Sequence, residues 1–293
     1  MSGPRLFCFG LGYTAQALAR RARDLGWQVA GTARPGPRLD ALRAAGWEVH
    51  PFGPDAPLPA SALAGATHVL SSAPPAAGQD PVLGAHADDL RRLAREGLRW
   101  AGYLSATSVY GDHHGAWVAA GRSACRPSGP RGRERLAAEE GWRALAGEGS
   151  PVPVHVFRLA GLYGPGRSAL DRVRAGDARR VVKPGLVFSR VHVEDAAAAL
   201  LLSALAPRPG AIYDLADDEP APPQDVTAFA CALLGVEPPP LEPWDPARLS
   251  PPLREFYADS KRVESWRARV ELGWRPEWPD YRAGLRALLA AGA

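Results

Sequence analysis

A glycine-rich loop near the start of the chain has the residue types and spacing needed to hold phosphate groups. It follows a short apolar run and precedes a helical pattern that ends at Gly26. In a Gly-x-Gly-x-x-Ala loop the first glycine permits a tight turn, the second lets the backbone approach a pyrophosphate, and the small third residue lets helix and strand pack closely. The positive end of the helix dipole also favours phosphates. The alternative is a turn that needs glycine only for packing. We expect dinucleotide binding by Gly10, Gly12, Tyr13, Thr14 and Ala15.

The second predicted strand ends in a neutral residue followed by a basic one. Thr32 stands at its end and Arg34 comes two residues later. Folds selective for NAD usually carry Asp or Glu here to hold the ribose 2′-hydroxyl. A guanidinium instead suits a 2′-phosphate, so we expect NADP, with NAD as the alternative, bound by Thr32 and Arg34; otherwise Arg34 and Arg38 are simply exposed charges. Ser72 and Ala73, which end the fourth predicted strand, are expected to run beneath the cofactor.

Strand and helix patterns alternate along the first half of the chain. This alternation predicts an α/β fold, a Rossmann doubly wound parallel sheet whose strand ends share one ligand-binding edge. After Leu159 strand and helix patterns no longer alternate regularly, and the second half of the chain indicates a small C-terminal substrate lobe. We expect a dinucleotide-binding domain over residues 1–158, with residues 159–293 completing the sheet and forming the lobe. The strand candidates are Leu6–Gly10, Gln28–Thr32, Glu48–Phe52, His68–Ser72, Gly102–Ser105, Pro153–Leu159, Val191–Val193 and Ile212–Leu215.

Composition narrows the class of protein. The longest apolar stretch, Ala196 to Ala206, is too short to span a bilayer, so no membrane partner is expected. The net charge of +4 comes from interleaved acids and bases without a nucleic-acid motif, so no nucleic-acid partner is expected either. Three scattered cysteines form no disulfide framework, which favours the cytoplasm, and seven histidines without ligand spacing predict no metal.

Further motifs resemble those of a known family. Ser105-Ala-Thr-Ser-Val-Tyr-Gly111, the Arg158 to Gly166 segment and Val191-His-Val-Glu-Asp195 occur in the order typical of extended short-chain dehydrogenases/reductases. These include nucleotide-sugar epimerases and dehydratases, and the chain is most similar to atypical members described as NAD-dependent epimerase/dehydratase-like. The resemblance implies a Rossmann sheet with a small substrate lobe, an oxidoreductase or epimerase activity and, as is frequent in the family, a homodimer.

The catalytic residues of that family are replaced in this chain. Family members use a Ser or Thr at the end of strand five and a Tyr-x-x-x-Lys pair on the next helix, and the matching positions are Ala106, Arg131 and Arg135. Arginine stays protonated at neutral pH, so it cannot exchange a proton as the family tyrosine does. Arg135 retains the charge needed to hold ribose hydroxyls. The alternative is a helix face on which Arg131, Arg135 and Glu139 form ion pairs.

A second Tyr-x-x-x-Lys, formed by Tyr257 and Lys261, lies in the C-terminal lobe. We interpret it as a coincidence of spacing, because it is far along the chain from strand five. We expect Tyr257 to lie out of reach of the nicotinamide position and Lys261 to serve packing or hydrogen bonding.

The motifs together favour an NADP-dependent oxidoreductase or epimerase acting on a small polar substrate, with anionic and nucleotide-sugar-like compounds as candidates. The alternative is a catalytically silent NADP-binding sensor or scaffold protein. Asp112 and His113 are additional candidates for proton transfer. Substrate contacts are expected from Tyr163, itself a proton-transfer candidate, and Arg190. The expected catalytic set is Thr107, Tyr110, Arg131 and Arg135.

Overall fold

The computed structural model describes residues 3–147, 152–248 and 250–292. Short strands and helices alternate throughout this part of the chain. The strands are β1 (Arg5–Phe9), β2 (Gln28–Ala33), β3 (Glu48–Pro51), β4 (His68–Ser71), β5 (Trp100–Ala106), β6 (Trp117–Val118), β7 (Val154–Leu159), β8 (Gly161–Tyr163), β9 (Arg180–Val182), β10 (Arg190–His192), β11 (Ile212–Leu215), β12 (Leu241–Pro243) and β13 (Arg262–Val263). The helices are α1 (Tyr13–Asp24), α2 (Pro37–Ala44), α3 (Pro81–Glu96), α4 (Pro130–Ala144), α5 (Ala169–Arg174), α6 (Val193–Leu205), α7 (Pro223–Leu234), α8 (Pro251–Phe256), α9 (Trp266–Glu271) and α10 (Tyr281–Ala290).

Seven strands form the central sheet, in the order β11-β7-β5-β4-β1-β2-β3. The pairs β1/β2, β1/β4, β2/β3 and β4/β5 are all parallel, and Leu6 of β1 stands between Val29 and His68. Strand order reverses beside β1, which is the topology of a doubly wound fold. The predicted Rossmann fold is therefore confirmed.

The chain divides into two compact units that alternate along the sequence. The first unit runs up to Ala106 and adds Arg133–Arg158 and Ala196–Tyr213. The second unit contains Thr107–Gly132, Leu159–Asp195 and the chain from Asp214 onward. The predicted division at residue 158 stays a prediction.

The first unit is built on a core of aliphatic and aromatic side chains from the sheet and its flanking helices. Phe7, Val69 and Tyr103 are fully buried in it, and Trp142 of α4 stacks on Tyr103 with ring centroids 5.8 Å apart. The sequence predicts a helix from His86, yet α3 begins five residues earlier. Its first turn is stabilised by Asp80, whose carboxylate accepts the N–H groups of residues 82 and 83 at 2.8 and 3.0 Å.

The second unit has a separate core between α5, α7 and α10, with Leu170, Ala230 and Leu285 at its centre. Three two-stranded pairs, β10/β8, β12/β9 and β13/β6, join distant parts of its sequence. None of the helices in the described ranges is long and apolar enough to cross a membrane.

Candidate functional site

The glycine loop of the first unit is fixed by a residue at the end of β2. The N–H of Gly10 donates to Thr32 Oγ1 at 2.8 Å, and the N–H of Leu11 donates to the Thr32 carbonyl at 2.6 Å. Thr32 is only 1% exposed. Its side chain therefore holds the loop in place, and this contact is the role that the structure gives it.

The turn at the first glycine is strained and crowded for any residue with a side chain. Gly10 has a φ of +81°, and a Cβ there would lie 3.1 Å from Ser72 Oγ and 3.3 Å from the Ala73 nitrogen. The Ser72 hydroxyl donates to the Gly10 carbonyl. Ser72 and Ala73 thus pack against the loop, directly after β4.

Helix α1 begins immediately after the second glycine. Gly12 is its N-cap and supplies no side-chain cap, and the first turn carries no acidic residue. Thr14 and Ala15 are buried, whereas Tyr13 is half-buried. This helix end has the partial positive charge and the backbone donors that suit a phosphate group.

Two arginines follow β2 on the surface of the first unit. Arg34 is exposed and comes directly after the last residue of the strand. Arg38, on α2, reaches back to the loop and donates from Nη2 to the Leu11 carbonyl at 3.4 Å. Sequence reasoning treated Arg38 only as an alternative surface charge, and the turn of chain between β2 and α2 is what brings it to the loop.

At the position of the family lysine, Arg135 is committed to the backbone of β5. Its guanidinium donates to the Leu104 carbonyl. The ion pair with Glu139 considered from helix spacing does not form. Glu139 instead accepts hydrogen bonds from Arg158 Nε at 3.0 and 3.2 Å, from Arg158 Nη2 at 2.7 Å and from the Ser105 hydroxyl at 2.5 Å. This network ties α4 to β5 and β7.

At the position of the family tyrosine, Arg131 is a surface residue of the second unit. Its side chain is 71% exposed and lies 3.6 Å from a Glu255 carboxylate oxygen. Both replacements of the dyad therefore contact protein groups in the structure, and a catalytic role for either stays a prediction.

Tyr110 is fully buried in the second unit. Its hydroxyl donates to both oxygens of Asp214 at 2.9 Å, and Asp214 also accepts the Ala120 N–H at 2.5 Å. Thr107 is half-buried and opens the short 3-10 turn that ends at Tyr110. The geometry gives Tyr110 a clear structural role, and its predicted catalytic role stays untested.

The two predicted substrate residues occupy neighbouring strands of the second unit. Tyr163 ends β8 and Arg190 begins β10, and the two strands pair in parallel. Arg190 donates from Nη1 to the carbonyls of Phe188 and Ala221 at 3.0 and 2.9 Å. Burial is the main cause that raises the pKa of Tyr163 and lowers that of Arg190.

Sequence reasoning missed a buried acid beside this pair. Asp217 follows β11, and its backbone N–H donates to the Arg190 carbonyl at 2.6 Å. Burial raises the pKa of its carboxyl to about 8, although the nearby Arg190 charge opposes the shift. Groups with strongly shifted pKa values are candidates for functional sites.

Tyr257 and Lys261 serve local packing in the second unit. Tyr257 is buried with Val181 and Leu186, and Lys261 Nζ pairs with Asp259 at 3.1 Å. Desolvation lowers the pKa of Lys261, against the attraction of Asp259. The predicted distance of Tyr257 from the nicotinamide stays a prediction.

No family model matches the chain. A conserved protein of unknown function from Silicibacter pomeroyi DSS is 46% identical over 99% of both chains, with a TM-score of 0.90. The chain belongs to the same family as that protein. The structure shares the fold of solved NAD-dependent epimerases and dehydratases, which is the fold that the resemblance implies.

Two further matches are to a protein solved with bound ligands and to a reductase. MoeE5, solved in complex with UDP-glucose and NAD, is 21% identical over 98% of both chains, with a TM-score of 0.75. A 3-diazoavenalumate denitrifying reductase from a Streptomyces species is 33% identical over 144 residues, which are 44% of this chain and 45% of that protein. At 21% identity the match to MoeE5 shows the fold alone. The chain spans less than half the length of the reductase.

Proposed function

We propose that this protein binds NADP(H) and catalyses a reduction or epimerisation of a small polar substrate. The observation that carries the proposal is the glycine loop of the first unit. Its turn at Gly10 is strained and crowded for any side chain, Thr32 and Ser72 hold it, and an uncapped helix starts directly after it. A loop of this construction is typical of pyrophosphate binding.

The choice of NADP over NAD rests on charge. Arg34 and Arg38 follow β2 where NAD-selective folds place a carboxylate, and Arg38 already contacts the loop at Leu11. Two guanidinium groups would attract the 2′-phosphate, which NAD lacks. The bound nicotinamide cofactor would supply or accept the hydride. Arg34 and Arg38 would supply selectivity, and α1 would hold the pyrophosphate.

The activity is proposed from relatives and from chemistry together. The partial match to a reductase supports reduction, and the bound UDP-glucose of MoeE5 supports a nucleotide-sugar-like substrate. An anionic substrate also suits the arginine-rich helix that carries Arg131, whose side chain is 71% exposed. Small-molecule substrates, a homodimer and a cytoplasmic location belong to the same proposal.

The experiment is a pair of titrations with NADPH and NADH, followed by cofactor fluorescence. We expect the wild type to bind NADPH more tightly. Arg34→Ala should lose about 1.5–3 kcal/mol of NADPH affinity, roughly 10-fold to 150-fold, and little NADH affinity, because it removes a charge-assisted hydrogen bond. Arg38→Ala should also weaken NADPH binding more than NADH binding, but the loss of affinity should be smaller than for Arg34→Ala. Arg95→Ala, on the exposed side of α3, is the matched control. Equal loss for both cofactors, or none, would contradict the assignment.

A silent NADP sensor is the second candidate, and the replaced dyad favours it. The hydroxyl of Tyr110 is committed to Asp214, and Arg135 is committed to Leu104. Turnover decides between the two. Purified protein is incubated with NADPH and panels of carbonyl compounds and nucleotide sugars, and both NADPH absorbance and sugar products are followed. Oxidation or epimerisation supports the enzyme, whereas tight NADPH binding without either supports the sensor.

A further inference from the structure

A cleft of about 380 Å³ opens on the second unit, and two very exposed apolar side chains line it. Val270 on α9 is 74% exposed, the highest fraction of any large apolar residue in the described chain, and Trp117 on β6 is 56% exposed. Val263 of β13, the strand that pairs with β6, also lines the cleft. Exposed apolar side chains that are grouped in this way, with polar groups around them, are typical of interaction surfaces.

The same surface carries acidic and basic side chains next to each other. Asp218 accepts a hydrogen bond from Arg269, and Glu264 lies 3.6 Å from a nitrogen of Arg122. About half of each acidic side chain remains exposed. Exposed ion pairs stabilise a fold little, and one carboxylate can accept hydrogen bonds from more than one guanidinium. Both carboxylates can therefore take a further partner.

These features suit a partner that carries the same combination of groups. An apolar side chain of the partner would enter the cleft, and its charged groups would meet groups of opposite sign. A second copy of this chain meets both conditions, because a two-fold interface brings the same patch of each copy together and so requires a patch that complements itself. A cleft of this volume is large enough for one aromatic side chain, since clefts of about 300–1,000 Å³ hold small-molecule ligands.

The two longest helices, α3 and α4, offer a different kind of surface. Neither of them carries an exposed large apolar side chain within its described bounds. Their exposed positions instead include charged residues, such as Asp88, whose side chain is 98% exposed, Arg95 and Glu140. The core of a protein interface is depleted of charged residues and enriched in aromatic ones. The cleft of the second unit is therefore better suited to association than these helices.

We propose that two copies of this chain associate about a two-fold axis through the cleft surface, which we define as Trp117, Asp218, Glu264, Arg269 and Val270. The Trp117 ring of each copy would enter the cleft of the other and pack on Val270, while the acids of each copy meet arginines of the other. Because the assignment rests on the homodimer of the proposed function, it names the surface through which that dimer forms.

Sedimentation velocity of the chain over a wide range of concentration tests this surface. The wild type should show a reversible equilibrium between monomer and dimer. Trp117→Ala and Val270→Arg should each raise the dimer dissociation constant about 10-fold or more, because the first removes an aromatic anchor and the second places a charge in its contact. Ala85→Arg, at an exposed position of α3, is the matched control and should leave the constant unchanged. Denaturant unfolding checks that each variant is folded.

Charge-reversed variants test whether the two patches face each other. A basic variant carries Asp218→Lys and Glu264→Lys, and an acidic variant carries Arg122→Glu and Arg269→Glu. Each variant alone should be monomeric, because like charges meet across the two-fold axis. An equimolar mixture of the two should form a heterodimer, because opposite charges then meet.

The proposal is wrong if the wild type is monomeric at every concentration, if Trp117→Ala and Val270→Arg dimerise like the wild type, or if the mixed charge variants do not associate. Dissociation of the dimer by Ala85→Arg would also overturn it, since the interface would then lie on α3. NADP(H) titrations report on the first unit. A monomer that binds NADPH leaves the cofactor assignment standing, and a dimer that does not bind NADPH leaves the cleft surface standing.

Discussion

Glu139 in the first unit and Asp217 in the second are both buried carboxylates, yet the protein treats them in opposite ways. Glu139 is 1% exposed and accepts hydrogen bonds from Arg158 and Ser105. Asp217 is 3% exposed, and no side chain of the described residues donates a well-aligned hydrogen bond to its carboxyl oxygens; the backbone N–H groups of Arg190 and Glu219 lie beside them and only partly offset the cost of burial. The comparison separates two uses of buried charge. A carboxylate with charged partners stays ionised and joins elements of the fold, whereas burial without such partners favours the protonated form.

The strongest test of the satisfied site removes Glu139. We expect Glu139→Ala to lower the free energy of unfolding by about 3–5 kcal/mol, because the buried Arg158 guanidinium loses the carboxylate that balances its charge. Denaturant unfolding at pH 7 measures this loss. The control is Glu140→Ala, at the exposed neighbouring position on α4, which should stay within about 0.5 kcal/mol of the wild type. A loss below 1 kcal/mol for Glu139→Ala would remove the basis of the comparison.

Burial of Asp217 should make the free energy of unfolding depend on pH. The folded pKa of Asp217, about 8, lies above the ordinary value of 3.8, so the folded state binds the extra proton and stability falls as pH rises between these values. Asp217→Asn should remove about 3–4 kcal/mol of this fall between pH 5 and 8.5, at about 1.4 kcal/mol per pH unit. Unfolding curves across that range measure it against Asp88→Asn. Parallel pH profiles of wild type and Asp217→Asn would show that Asp217 is ionised without cost.

A buried histidine of the first unit should make stability depend on pH in the opposite direction to Asp217. His155 Nδ1–H donates to the Pro153 carbonyl, and Nε2 accepts the Arg208 N–H, both at 2.8 Å. Burial lowers its pKa from 6.5 to about 4, so stability falls as pH drops through that window. We expect His155→Gln to lessen the fall between pH 7.5 and 5 by about 2 kcal/mol. His114→Gln, at a side chain 92% exposed, should keep the wild-type profile.

The smallest expected effect concerns the hydroxyl that completes the Glu139 network. Ser105→Ala should lower the free energy of unfolding by about 1–2 kcal/mol, because one hydrogen bond to a charged group is lost while Arg158 remains. Thermal and denaturant unfolding measure the change against Ser61→Ala, at an exposed position of the same unit. A destabilisation as large as that of Glu139→Ala would mean that Ser105, and not Arg158, is the main partner of Glu139.

The sheet and the glycine loop could be predicted because their signals are local. Apolar runs of strand length, separated by helical patterns, indicated β1, β2 and β4 close to their observed bounds. The early start of α3 had a signal too, since Asp80-Pro81 is a typical N-cap and first helical residue. The helix prediction overlooked it.

The partners of the buried charges could not be predicted, because they depend on tertiary structure. Helix spacing offered an ion pair between Arg135 and Glu139 as the alternative to a catalytic role. The observed partner of Glu139 is Arg158, which comes from β7. Asp217 stands in the polar run Ala216-Asp-Asp-Glu219, which has the composition of a solvated loop. The position is buried in the folded protein, where its backbone N–H donates to the Arg190 carbonyl of β10.

The alternation of the two units along the chain also has a consequence for synthesis on the ribosome. The first unit needs Ala196–Tyr213 to be complete, and the second unit takes up Thr107–Gly132 but also needs the chain beyond Asp214. Neither unit can therefore finish folding before Tyr213 has been synthesised. Until β11 emerges, β7 is the edge of the sheet and its backbone groups are open to pairing with other chains. The β7 edge is thus exposed between the synthesis of β7 and that of β11, and protection of this edge is what a chaperone would have to provide.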